Sequence, residues 1–253
     1  MGWIVGVDGC KAGWIAASCD VSTTKAPILR VERSWSGLIR SLPPGSLVAV
    51  DMPIGLPDHI ERAGRGPEQA VRSLLGARQS SALAIPSRAA VSADTYHDAR
   101  SAALATSSPP RKVSRQGFHL FPKIREIDGF LRAEPAWRGA IFEVHPELAF
   151  RTLRGAPLQH PKKIRGVVNP EGMAERRALL RAAGLAEAVL AAAPPRGAAA
   201  DDVLDALAAL IVARHIAAGR GRPFPDRPGR DSHGLPIAIW SFAPDRPASQ
   251  DIA

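Results

Sequence analysis

The chain has 253 residues, enough for one large α/β domain with a substantial interior, and its 45 % hydrophobic and 23 % charged residues exclude a disordered protein. Its 33 lysines and arginines against 24 acids leave a formal charge of +9 and a pI near 10.5. Such a balance attracts polyanions, nucleic acid first and anionic membrane surfaces second, although arginine-rich composition alone is no evidence of binding. The two cysteines, Cys10 and Cys19, exclude a disulfide framework and a four-cysteine zinc site.

Trp3, Ile4, Val5 and Val7 predict a strand, Asp8 to Gly13 a turn with two glycines, and Trp14 to Ala17 a second strand running back. Asp8 then sits at the carboxyl end of a buried central strand, where an ionised carboxylate needs a cation, a donor network or a metal. Asp8-Gly9 also fits an ordinary turn dipeptide. Ile28 to Trp35 predicts a third strand. Ser34 or Ser36 caps a short helix through Leu38, Ile39 and Leu42, which Pro43-Pro44-Gly45 stops. Ser46 to Pro57 then contains a continuous apolar run of the kind expected for a strand buried on both faces. It too ends in an aspartate, Asp51, and a helical crossover allows this strand to lie parallel to the first, with both carboxylates at one sheet edge. An Asx turn before Pro53 is the competing reading of Asp51.

Residues 58–122 carry weaker patterning. Helices are expected over Glu68 to Leu75 and Ala93 to Ala105, within an insertion or lid that supplies Arg72, Arg78, Arg88, Arg111, Lys112 and Arg115 for phosphate contacts. An amphipathic helix follows from Pro122-Lys123 to Pro135. Ala140 to Pro146 predicts a fifth strand, with Glu143 and His145 on one face and Phe142 and Val144 on the other. Glu143 is the third carboxylate at a strand end, Glu147 suits a helix cap, and His145 a hydrogen-bonded structural histidine. Pro161 to Pro170 is a basic loop with Lys162, Lys163 and Arg165. Glu171 to Ala183 and Leu185 to Ala192 predict helices.

The last strong element is Ala199 to His215. Leu204, Leu207 and Ile211 form one apolar row; Asp202, Asp205, Ala206, Ala209 and Ala213 form the next, with small residues that let the helix lie close on a sheet. Asp201 is assigned to capping. Residues 221–253 are expected to be a basic, Pro/Gly-rich, irregular and mobile segment after a single 1–220 domain, with a short terminal strand at Pro236 to Phe242 and a frayed Ser249 to Ala253. With no leader-like N-terminus and no run of about 18 apolar residues, a cytoplasmic protein is expected.

Four or five acids converging in a basic protein repel one another unless divalent cations lie between them, as Mg²⁺ or Mn²⁺ do in a two-metal phosphodiesterase site. Gly6-Val7-Asp8-Gly9-Cys10-Lys11-Ala12-Gly13-Trp14, Val50-Asp51-Met52-Pro53-Ile54-Gly55, Pro122-Lys123-Ile124, Glu143-Val144-His145-Pro146-Glu147 and Asp201-Asp202-Val203-Leu204-Asp205-Ala206 occur in this order. In this the chain resembles the DUF429 family, described as predicted nucleases of RNase H-like fold. The resemblance implies an α/β protein with a mixed five-stranded sheet in the order 3-2-1-4-5 and helices on both faces. By similarity to RNase H-like junction resolvases, it implies that Asp8, Asp51, Asp202 and Asp205 hold the metals. Asp51 stands where those resolvases carry a glutamate, and Glu143, counted here with the catalytic acids, has no firm counterpart among their ligands.

The expected activity is a metal-dependent nuclease acting on DNA or RNA, with Lys11, Arg78, Arg88 and Lys123 against the substrate phosphate and a homodimer if the substrate is a symmetric junction. The alternative is a non-catalytic nucleic-acid or nucleotide binding protein on the same fold. An ATP-dependent kinase of the actin and sugar-kinase type ranks last, because no second Val-Asp-Gly-x-x-x-Gly hairpin is present. With aromatics at 5 %, base stacking is not expected as the main source of affinity.

Overall fold

The computed structural model describes residues 2–23, 25–62 and 64–243. The expectation for Ser249 to Ala253 lies outside these residues. Strand β1 (Trp3–Cys10) turns through Lys11-Ala12 into β2 (Gly13–Asp20), and β3 (Ile28–Glu32) continues the meander. The turn is shorter than the expected Asp8 to Gly13, because pairing persists to Cys10 opposite Gly13. Helix α1 (Trp35–Arg40) leads to β4 (Leu47–Val50), which runs parallel to β1, and β5 (Ile141–Glu143) runs parallel to β4. The mixed sheet therefore has the order β3-β2-β1-β4-β5, as expected.

Each face of the sheet is covered by its own core. On one side α1 and α4 (Phe121–Ala133) pack Trp35, Leu38, Phe121, Ile124 and Ile127 against Val5, Val7, Trp14, Val48 and Val50. Glu126 ties this layer together by accepting from the Trp14 indole at 3.1 Å and the Trp35 N–H at 2.8 Å. On the other side lies α7 (Ala200–Ala217), a helix buried around almost its whole circumference and so apolar on every face but its acidic first turns. Gly6 is what lets it approach: a Cβ there would fall 2.1 Å from Ala206 O and 2.1 Å from Leu210 N. Helices α5 (Pro146–Arg154) and α6 (Pro170–Ala182) complete this layer through Phe150, Met173 and Leu180.

The segment between β4 and α4 holds α2 (Gly66–Arg72), a 3₁₀ stretch (Ser73–Ser81) and α3 (Tyr96–Ala105). It is built into the protein, with Val91, Ala99, Ala103 and Val113 entering the core above β4. The first expected helix starts earlier than Glu68, at Gly66, because Pro67 sits in its first turn and the Glu68 carboxylate accepts from the Arg65 N–H at 2.6 Å. Residues 221–230 depart from the expected irregular, mobile segment. They form β6 (Gly221–Arg230), which pairs antiparallel with β7 (Pro236–Phe242) across a bulge between Phe224 and Gly229. A strand so rich in proline is tolerated because it has a partner on one edge only. Asp231 fastens the connecting turn by accepting from Leu56, His233 and Leu235 N–H groups. Among the described residues, no helix is long and apolar enough to cross a membrane.

Candidate functional site

Sheet register brings the first two carboxylates together. Val7 faces Val50, so the next residues, Asp8 and Asp51, lie side by side, with the Asp51 N–H donating to Val7 O at 2.9 Å. Alternation along β1 puts Asp8 on the same face as Gly6, the face on which α7 lies. The first turns of α7 therefore deliver Asp201, Asp202 and Asp205 to the same end of the sheet, and all five aspartates line one cleft of about 680 Å³. Lys123, Arg78, His145 and Glu147 contribute to its walls.

Burial disfavours charge here. It holds Asp8 well above the usual carboxylate range, reinforced by Asp51 and Asp205, and pushes Asp51 up to about 8 with Asp205 adding to the effect. Asp205 and Asp202 are raised by burial as well. The nearest compensation is Lys162, whose ammonium pairs with Asp205 and lies 3.8 Å from Asp201, while Lys163 pairs with Asp201 at 2.6 Å. Burial works against the charge on Lys162, but Asp205, Asp8 and Asp201 hold it protonated far above neutral pH.

Among the described residues, no three His, Cys, Asp or Glu side chains stand close enough together to form a ready metal site. The donor chemistry nonetheless suits a hard divalent cation, being all oxygen, with Asp201 Oδ1, Asp205 Oδ1 and Glu147 Oε2 buried and lacking hydrogen-bond partners.

Glu143 also lines the cleft, but it is one position out of step with Asp8 and Asp51, since it faces Val50, and so leaves the sheet on the side away from α7. There Arg65 grips it, Nη2 to Oε1 at 2.6 Å and Nη1 to Oε2 at 3.1 Å, while the Ile54 N–H donates to Oε2 at 2.7 Å. Burial pushes Glu143 up to about 7 even against Arg65. Arg88 is spent on Asp128 and on Asp231, the latter at 2.6 Å, and Lys11 is exposed at the hairpin tip outside the cleft wall. Asp202, rather than Asp201, caps α7 by accepting from the Ala199 N–H at 2.9 Å, because a side chain at the third helical position folds back onto the residue before the helix. His145 caps α5 by accepting from Leu148 N–H at 3.3 Å, whereas Glu147 pairs with the fully buried Arg176. Lys123 reaches the cleft by lying across Gly9, its ammonium 4.5 Å above the Trp14 ring.

Arg65, Glu68, Lys162 and Arg176 escaped the reading of the sequence as site-building residues. Only Arg65 left a trace, the Pro67 and Glu68 pattern of a helix start.

A pH dependence follows from the raised carboxyls. Above pH ~4 the unfolded chain has released protons that folded Asp8 and Asp51 retain, so stability in EDTA falls as pH climbs toward 8, by ~1.4 kcal/mol per pH unit for each carboxyl that stays protonated. Thermal melts from pH 5 to pH 8 are expected to show a declining Tm, with a flatter slope for Asp51→Asn. A wild-type Tm that increases toward pH 8 would contradict this account.

Fold and site define an α/β protein with a carboxylate-lined cleft at the end of its two central parallel strands. The chain belongs to the DUF429 family, described as "Protein of unknown function", which matches residues 6–230. No curated protein and no solved structure gives a significant match.

Proposed function

We propose that this protein is a divalent-metal-dependent nuclease that hydrolyses phosphodiester bonds of DNA or RNA. The observation that carries the reading is the meeting of Asp8, Asp51, Asp202 and Asp205, from two adjacent parallel strands and one helix, in a single cleft of a chain with a formal charge of +9. The strand order supports an RNase H-like fold, which by itself carries no chemistry. Asp8, Asp51, Asp202 and Asp205 would hold Mg²⁺ or Mn²⁺, which when bound activates water and stabilises a departing oxygen. The chain supplies the rest. Lys123, lying over Gly9 and Trp14 with its ammonium donating to Gly13 O, and Arg78, on the 3₁₀ stretch and donating to Gln159 O, would place positive charge in the cleft wall toward a phosphate.

One observation favours the alternative of a non-catalytic nucleic-acid binder. Lys162 already neutralises Asp205, as a salt bridge would in a protein that has no use for a metal.

A cleavage panel separates the two: single-stranded, duplex and branched DNA and RNA, each with Mg²⁺, Mn²⁺ or EDTA. Metal-dependent cutting that drops to background in Asp8→Asn is the expected result. Salt-sensitive binding that survives Asp8→Asn, with no cutting under any metal, would replace the nuclease reading by the binding one.

A further inference from the structure

The loop from Pro161 to Pro170 enters the aspartate cluster from outside. Its two-residue strands, Lys163–Ile164 and Val167–Val168, pair across the Arg165-Gly166 turn, where φ is +50° and +82°. Arg165 and Gly166 thus sit in the left-handed region that a tight hairpin requires. The base of the loop is fixed. Asn169 donates to Lys162 O and Pro161 O, both at 2.9 Å, and Gly172 lies so close that a Cβ there would meet Pro161 O at 2.0 Å.

The rest of the loop has no anchor in the core. Ile164, Val167 and Val168 are 55 %, 71 % and 46 % exposed, so no apolar burial holds the hairpin in place. What draws it onto the body is charge: Lys162 on Asp205 and Asp201, and Lys163 on Asp201. Yet Asp201 Oδ1 and Asp205 Oδ1 remain buried without partners, although their residues are only 3 % and 2 % exposed. Two ammonium groups on flexible stems leave these oxygens unsatisfied. A small divalent ion, with its denser charge and higher coordination number, suits them better.

We propose that the Lys162 side chain is a tethered counter-ion to the aspartate cluster, which a divalent cation displaces, and that its displacement, with that of Lys163, frees the Lys163–Val168 hairpin beyond the fixed base of the loop. The inference rests on the metal-dependent reading given above. It assigns the loop a regulatory role: in the absence of metal the Lys162 and Lys163 side chains occupy the acidic end of the cleft, and metal loading opens that end while releasing both lysines beside it.

The test is Mn²⁺ binding to the full chain, followed by the loss of free-ion signal in electron paramagnetic resonance, for wild type, Lys162→Gln and Lys162→Arg. Lys162→Gln is expected to bind Mn²⁺ at least ten-fold more tightly than wild type, and Lys162→Arg, which keeps the charge, within about three-fold of wild type. Saturating Mn²⁺ is expected to speed trypsin cleavage of the wild type after Lys163 and Arg165 several-fold, a readout that does not depend on the variants folding. Equal Mn²⁺ affinity in wild type and Lys162→Gln, equal tightening in Lys162→Arg, or trypsin cleavage unmoved by bound Mn²⁺ would each overturn the displacement mechanism and leave the metal site standing. Absence of Mn²⁺ binding in all three proteins would overturn both.

Discussion

Gly6→Ala is expected to cost about 3 kcal/mol or more and to disturb the site as well as the fold. A Cβ at this position would lie 2.1 Å from Ala206 O, 2.1 Å from Leu210 N and 2.7 Å from Leu210 Cα. All three are backbone atoms of a buried helix, so no side chain can swing aside, and overpacking of this kind is relieved only by moving the element. The element is α7, which carries Asp202 and Asp205, so lifting it separates them from Asp8 and Asp51. Displacement of catalytic groups by about 1 Å costs ~10²-fold in rate. Urea unfolding monitored by tryptophan fluorescence measures the stability loss. Gly139→Ala is the control, because a Cβ there meets nothing within 4 Å and a change within ~0.5 kcal/mol is expected. Similar midpoints for the two variants would refute the close approach of β1 and α7.

Arg65→Met is expected to destabilise the protein by ~3–5 kcal/mol at pH 8 and by clearly less at pH 5. The Arg65 guanidinium is fully buried and bridges Glu68 Oε1 and Glu143 Oε1, each at 2.6 Å, while also donating to Ile54 O at 2.8 Å and Gly55 O at 3.0 Å. Removing it leaves two carboxylates without their shared cation in the wall of the cleft, with burial already pushing both upward. Loss of the cation raises them further, so at pH 5 they protonate and the penalty shrinks. Adding Glu143→Gln to Arg65→Met removes one of the two stranded charges and is expected to recover part of the loss at pH 8. Denaturant midpoints at both pH values check this. A penalty independent of pH would mean that Arg65 contributes through packing alone.

Asp8, Asp51, Asp202 and Asp205 could be picked out in the chain for a local reason. An apolar run that ends in an acid marks the exit of a buried strand, and a 3.6-residue period with small residues marks a helix face that packs closely. Those signals span a few residues each and survive in any context. Gly6 belongs to the same class of information only in hindsight, since nothing near it in the chain tells which helix comes within 2.1 Å.

The company these acids keep is another matter. Glu143 reaches the same cleft as the other strand-end acids, but a register one residue out of step sends it off the other face of the sheet and into the grip of Arg65, 78 positions away. Arg88 looked like a phosphate ligand until Asp128 and Asp231, the latter 143 positions distant, took its guanidinium. Lys162 read as one of several loop lysines, although it is the cation that meets Asp205. Local periodicity in the chain reveals the apolar residues that face the core and the exits of β1 and β4, although β3 stops at Glu32 and Trp35 opens α1. Which charge neutralises which depended on the loops that carry Arg65, Arg88 and Lys162, because pairing between ions is set by distance in space and leaves no periodic trace along the backbone.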